Sequence, residues 1–159
     1  MATIWCWTRS TRGETFESTR EALLKLGEAA IKRSVMILIG LGGEARTVEH
    51  AENSARLANE TEPEFLATLV VSFPKGEERF RERFPDFAPL SIAGLLREME
   101  LFVSRLELRR TVFRSDHASN WLALKGTLGA DKARLLQELR AAIAAPEAAR
   151  LRPAWARGL

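Results

Sequence analysis

Apolar positions along this chain fall alternately at helical spacing and in short unbroken runs. From Thr15 to about Ala30, Phe16, Leu23, Leu26 and Ala30 recur at helical intervals, and Glu17 sits in the first turn, where the helix dipole favours an acid. Ser34-Val35-Met36-Ile37-Leu38-Ile39 follows, apolar at every position but the first and bounded by Gly40, Gly42 and Gly43. That pattern predicts a strand buried on both faces, the habit of parallel sheets. Thr47 is an N-cap candidate for a second helix to about Glu60, whose inner stripe of Val48, Ala51, Ala55 and Ala58 is small enough to lie close against a sheet.

Pro63 interrupts the chain, and Phe65 to Val71 predicts a second strand. Phe73 to Pro89 is polar with scattered phenylalanines, a loop with a helical turn. The widest apolar stripe, Ile92, Leu95, Leu96, Met99, Phe102, Val103 and Leu106, predicts a helix over Ser91 to Leu106. A short strand at Leu108 to Phe113, a polar loop from Arg114 to Asn120 and a last helix from Asp131 to Ala144, closed by Pro146, complete the pattern. The expectation is an α/β fold, part of a (β/α) partial barrel with about three parallel strands and crossover helices. Three strands cannot close a barrel, so a long edge or an apolar face should be exposed, and that implies a missing partner.

Composition narrows the function classes. The chain has 159 residues, 46% of them hydrophobic and 28% charged, which suits one compact domain. The longest apolar run, Ser34 to Leu41, is far short of the roughly 20 residues that span a bilayer. The first residues show no apolar core or cleavage site of a secretory signal, so a cytoplasmic location without membrane contact is expected. The net charge is +3, but acids are interspersed with the cations, as in Glu77-Glu78-Arg79 and Arg97-Glu98-Met99-Glu100. A concentrated basic face with aromatic platforms, the footprint of nucleic-acid binding, is not evident. Cys6 is the single cysteine, so the chain makes no internal disulfide and no all-cysteine metal site by itself. His50 in a helix and His117 in a loop do not form a metal-ligand pattern, and no nucleophile–histidine pairing appears.

The most informative local feature is the turn Gly40-Leu41-Gly42-Gly43-Glu44-Ala45, between a strand and a helix start. Glycines there let backbone amides approach a ligand, and the helix N-terminus favours an anion. The turn formally satisfies the dinucleotide fingerprint G-x-G-x-x-G/A, but Ser72-Phe73-Pro74 stands where that fingerprint expects an acid after the next strand. A tight turn that needs positive φ is the plain alternative.

Met36-Ile37-Leu38-Ile39-Gly40-Leu41-Gly42-Gly43-Glu44 resembles the fifth-strand motif G-x-I-x-G-x-x-G-E of radical S-adenosylmethionine (radical SAM) enzymes, with Met36 in place of the first glycine and Leu38 in place of the isoleucine. Gly13-Glu14-Thr15 resembles the lysine-glycine-x-threonine turn before the preceding helix. Glu49-His50-Ala51 is similar to the E-H-A step of an iron–sulfur oxidoreductase branch. The longest match, Phe113 to Leu128, resembles F-R-S-N-H-A-S-N-Y-L-P-L-x-G-x-L-P followed by D-K, here Asp131-Lys132; Asp116 replaces the asparagine, Trp121 the tyrosine, and Ala123 and Gly129 the prolines. Pro74 to Glu78 has drifted from the family's P-G-T-P-L step.

The resemblance covers about Gly13 to Ile143 and implies the C-terminal part of a radical SAM domain over residues 13–145. Residues 1–12 are then a non-family extension and 146–159 a flexible tail. In the family, a 4Fe-4S cluster held by C-x-x-x-C-x-x-C cleaves S-adenosylmethionine to a hydrogen-abstracting radical. Cys6 alone cannot ligate that cluster, so the isolated chain is expected to be non-catalytic and to need a cysteine-bearing partner half. By the same resemblance Leu38, Gly40 and Gly43 would lie near the adenine of S-adenosylmethionine, and Glu44 would cap the following helix. Arg114, His117, Ser119 and Asn120 would bind substrate from the C-terminal end of a strand, where barrels place their sites. The alternative is a non-enzymatic interaction module or homo-oligomer that docks through its exposed edge.

Overall fold

The computed structural model describes residues 15–73 and 76–157. Helix α1 (Phe16–Glu28) opens with a reciprocal cap: Thr15 Oγ1 accepts from the Ser18 amide at 3.1 Å, and Ser18 Oγ accepts from the Thr15 amide at 2.9 Å. Phe16 is its anchor, buried beneath the Arg56 guanidinium at 3.9 Å. The expected inner stripe is only partly realised, because Leu26 remains 39% exposed at the margin of the helical layer.

Strands β1 (Ser34–Ile39), β2 (Phe65–Val70), β3 (Val112–Ser115) and β4 (Leu124–Thr127) form the sheet of the described residues, in the order β1-β2-β3-β4. The first two pairings are parallel and β3–β4 is antiparallel. The three expected parallel strands are present as β1, β2 and β3, and a fourth, antiparallel strand that was not expected makes the sheet mixed. The fourth strand escapes sequence reading because it is short and glycine-containing, and only Leu124 of its residues is fully buried. The third strand begins four residues later than its apolar residues suggest. Leu108 is buried in the approach to the sheet, and Thr111 Oγ1 bonds Pro63 O at 2.7 Å before pairing starts.

Helices α2 (Gly43–Thr61), α4 (Ile92–Arg105) and α5 (Lys132–Ala144) all pack on one face. The stripe Ala51, Ala55 and Ala58 presses α2 close to the sheet; α4 adds Leu95, Leu96, Met99, Phe102 and Val103, and α5 adds Leu135, Leu139 and Ala142. These meet Val35, Ile37, Ile39, Leu66, Val70 and Phe113 to form the core. The short helix α3 (Glu78–Arg81) belongs to the β2–α4 connection, where Phe80 stacks on Phe84 at 4.6 Å and meets Phe73 and Phe87.

The opposite face is open, which corrects the expectation that β1 is buried on both sides. Met36 is 61% exposed, Leu38 37% and Phe65 41%, because no second layer of described residues covers them. Strand order advances without reversal, so these strands contain no topological switch point of the doubly wound kind. Among the described residues no helix is long and apolar enough to cross a membrane.

The segment after α5, within the tail expected at 146–159, makes contacts back to the domain. The Arg152 amide donates to Trp121 O at 2.7 Å, Leu151 packs against the core, and a 3₁₀ turn forms at Ala154–Ala156. Residues 1–14, which include the expected N-terminal extension and Cys6, lie outside the described residues.

At the lower end of the sheet Arg33 fastens three elements. Its guanidinium donates to Leu23 O of α1, to Thr61 O and Glu62 O at the end of α2, and to both oxygens of the Glu64 carboxylate, which also accepts from the Arg33 amide at 2.7 Å. The Arg33 side chain, followed by its amide, holds the Glu64 carboxyl down to about 2. A depressed carboxyl stabilises the fold above its unfolded value near 4.5 and loses that contribution as pH falls toward 2. Because Glu64 is partly exposed, screening limits the contribution to about 1 kcal/mol or less. Glu64→Gln should thus lower the unfolding midpoint at pH 7, and the gap from the wild type should close between pH 4.5 and 2 when both are followed by urea denaturation.

Candidate functional site

The glycine turn follows β1 at its C-terminal end. Gly40 (φ +87°) and Gly43 (φ +61°) occupy backbone conformations that L side chains rarely adopt. A Cβ would meet Leu95 Cδ2 at 2.8 Å from Gly40 and Ala88 O at 2.8 Å from Gly43. The turn's amides are directed inward: Gly40 N–H donates to Glu98 Oε1 (3.0 Å), Leu41 to Leu38 O (3.3 Å), Gly43 to Gly40 O (3.1 Å) and Glu44 to Ala88 O (2.9 Å). Four donors expected near a ligand are therefore engaged within the chain, and the turn offers close approach instead of an amide cradle.

Helix α2 starts at Gly43, breaks helical geometry at Arg46 (φ −133°, ψ 19°) and becomes regular from Thr47. Thr47 does not cap this start, because its hydroxyl donates to Glu98 Oε2 at 2.8 Å. The Glu44 side chain, assigned a capping role by the resemblance, is exposed, and Gly42 at the N-cap makes no side-chain cap bond.

Glu98 is the residue that sequence reading missed. It is 2% exposed on α4, and its carboxyl group also accepts from His50 Nδ1 at 2.8 Å. Placed within a mixed-charge run it reads as surface. Its position, three residues after Leu95 and one before Met99, puts it on the buried stripe, and that spacing was the available signal. His50 and Glu98 together fix the turn to α2 and α4.

The second part of the site is the loop after β3. Arg114 is exposed on the open face, with Nη1 3.8 Å from Asp116 Oδ2. Ser119 donates its amide to His117 Nδ1 (3.1 Å), and Ser119 Oγ accepts from the Val70 amide (3.2 Å) while lying 3.0 Å from the same His117 nitrogen. Nδ1 is therefore an acceptor, and a neutral His117 carries its proton on Nε2. Asn120 turns inward instead: it is 1% exposed, and its Nδ2 donates to Thr68 O at 2.8 Å. Arg152 donates to the carbonyls of Asp116, His117 and Asn120, and Arg157 donates to Ser119 O and lies 4.1 Å over the Trp121 ring. Burial lowers the Arg157 pKa, with the Arg152 charge adding to the effect.

Leu38, Leu69, Val71, Ser72, His117 and Ser119 surround a depression of about 410 Å³ at the C-terminal end of the open face. Of the residues predicted from sequence, Leu38, His117 and Ser119 meet there. Arg114 shares the face one step down the strand, Gly40 and Gly43 stand behind the end of β1, and Asn120 joins the core. Among the described residues no group of three or more His, Cys, Asp or Glu could hold a metal ion. Comparison with protein-family models, with curated proteins and with solved structures found no match to this chain.

Glu98→Ala would leave the Gly40 amide, Thr47 and His50 without their buried acceptor. It should destabilise the fold by about 3 kcal/mol or more, whereas Glu98→Gln, which keeps the shape and one acceptor, should cost less. Urea unfolding of the two variants checks the order.

Proposed function

We propose that this chain is the C-terminal part of a radical SAM-like partial barrel, its open sheet face forming the inner wall and the depression beside Leu38 receiving S-adenosylmethionine. The observation that carries the reading is the placement of two segments that each resemble a family motif. The fifth-strand-like segment contributes Leu38 and the Phe113–Leu128 segment contributes His117 and Ser119 to one depression at the C-terminal ends of parallel strands. The consecutive, parallel order of β1, β2 and β3 with helices on one face is the winding of a (β/α) barrel and supports the same reading, whereas the antiparallel β4 departs from it.

The residues present fit the two family cofactors differently. Leu38, Leu69 and Val71 offer an apolar floor suited to a purine base, and Ser72 and His117 offer polar groups at its margin. No set of cluster ligands exists in the chain, whose single cysteine is Cys6. A 4Fe-4S cluster would have to be held by a cysteine-bearing half. The chain's own contribution is to exclude water beneath the base and to orient polar groups toward substrate, so catalysis by the chain alone is not part of the reading.

A second reading, an interaction module that docks a second copy, draws on the exposure of Met36 and Phe65. Light scattering separates the two states. Concentration-dependent dimers that Met36→Lys abolishes support docking, and a monomer at all concentrations removes it.

Calorimetric titration of S-adenosylmethionine into the purified chain, with NADH as control, tests the main reading. Saturable binding of the former alone is expected, weakened about tenfold or more by Leu38→Glu with little change in unfolding midpoint. Absence of S-adenosylmethionine binding would overturn it.

A further inference from the structure

Arg114 on β3 and Lys125 on β4 are direct cross-strand partners, so both side chains rise from the open face. Adjacent paired residues lie about 5 Å apart, and like charges so placed repel. Both residues are exposed. Among the described residues Asp116 is the one carboxylate paired with Arg114, at a loose 3.8 Å, and no acidic side chain pairs with Lys125. Arg134 on α5, which reaches the Lys125 carbonyl, is committed to Asp131 and Glu138.

The same row of the sheet runs Met36, Ala67, Arg114, Lys125, apolar at one end and doubly cationic at the other. Met36 is two strands from Arg114, about 10 Å at ordinary strand spacing. Leu38 and Leu69 lie one two-residue step higher, about 7 Å along the strands.

We propose that the Arg114–Lys125 pair is an anion subsite, and that the ligand it takes is an amphipathic monocarboxylate whose apolar body lies over Met36, Ala67 and Leu69. Arginine presents a planar fork that matches the two oxygens of a carboxylate, and lysine adds a point charge beside it. With Asp116 included, the three side chains sum to one positive charge, which balances a carboxylate better than a doubly charged phosphate. The inference deepens the proposed function by naming a substrate class, and it rests on the open face being the working face.

The test is an NMR titration of the isotope-labelled full chain with octanoate below its micelle-forming concentration, alongside octanol and octyl phosphate. Saturable shifts at Ala67, Val112–Ser115 and Leu124–Gly126 are expected with octanoate. Arg114→Gln or Lys125→Gln should each weaken that binding about tenfold, as expected for loss of a charge-assisted hydrogen bond, and leave the response to octanol unchanged. Neither variant should lower the thermal midpoint, because each relieves repulsion. Equal binding of octanoate and octanol, tighter binding of octyl phosphate, or indifference to both substitutions would overturn the proposal. Octanoate binding without S-adenosylmethionine binding would remove the radical SAM reading and leave the subsite standing. The reverse result would remove the subsite alone.

Discussion

A buried carboxyl group, that of Glu98, connects the end of β1 to two helices. It accepts from the first glycine of the turn, from Thr47 where α2 becomes regular, and from His50 one turn further on. A buried acid without such donors would be costly, and a tight turn without such an acceptor would leave an orphaned amide. Each group solves the other's problem. The consequence for the site is that the glycine turn is held to the helical layer, so Leu38, two residues before it, is presented at a fixed position on the opposite face.

One-sided packing governs everything else. The helices that follow β1, β2 and β4 satisfy the inner face, and the core they build is dense in leucine, phenylalanine and alanine. The outer face keeps an apolar half and a cationic half. A sheet finished as a monomer surface would alternate apolar and polar residues across the whole pleat. Here the outward positions of β1 and β2 are largely apolar instead, a composition suited to contact with another molecule.

Much of the fold was legible in the sequence. β1 and β2 stand out as unbroken apolar runs between punctuating residues, and α4 as a wide stripe, because those signals come from burial of consecutive local positions. β4 was not legible, since its pairing with β3 is set by tertiary hydrogen bonds and its own residues are mixed. Within the site, residue types located the loop at 114–120 but not the direction of its side chains. His117 and Ser119 face the depression, whereas Asn120, one residue on, fastens to Thr68 O in the interior. Glu98 was hidden by its charged neighbours, although its phase on the helix marked it as inward-facing.

The arginines near the C-terminus set an order on assembly. Arg152 and Arg157 reach back 32 to 38 residues to bind the carbonyls of the loop that presents His117 and Ser119. During synthesis the sheet and α5 can form before either arginine has left the ribosome, since chains emerge N-terminus first. The loop is then the last part of the domain to acquire its shape, and a released chain that ended before residue 152 would carry the sheet with the 114–120 loop still unfastened.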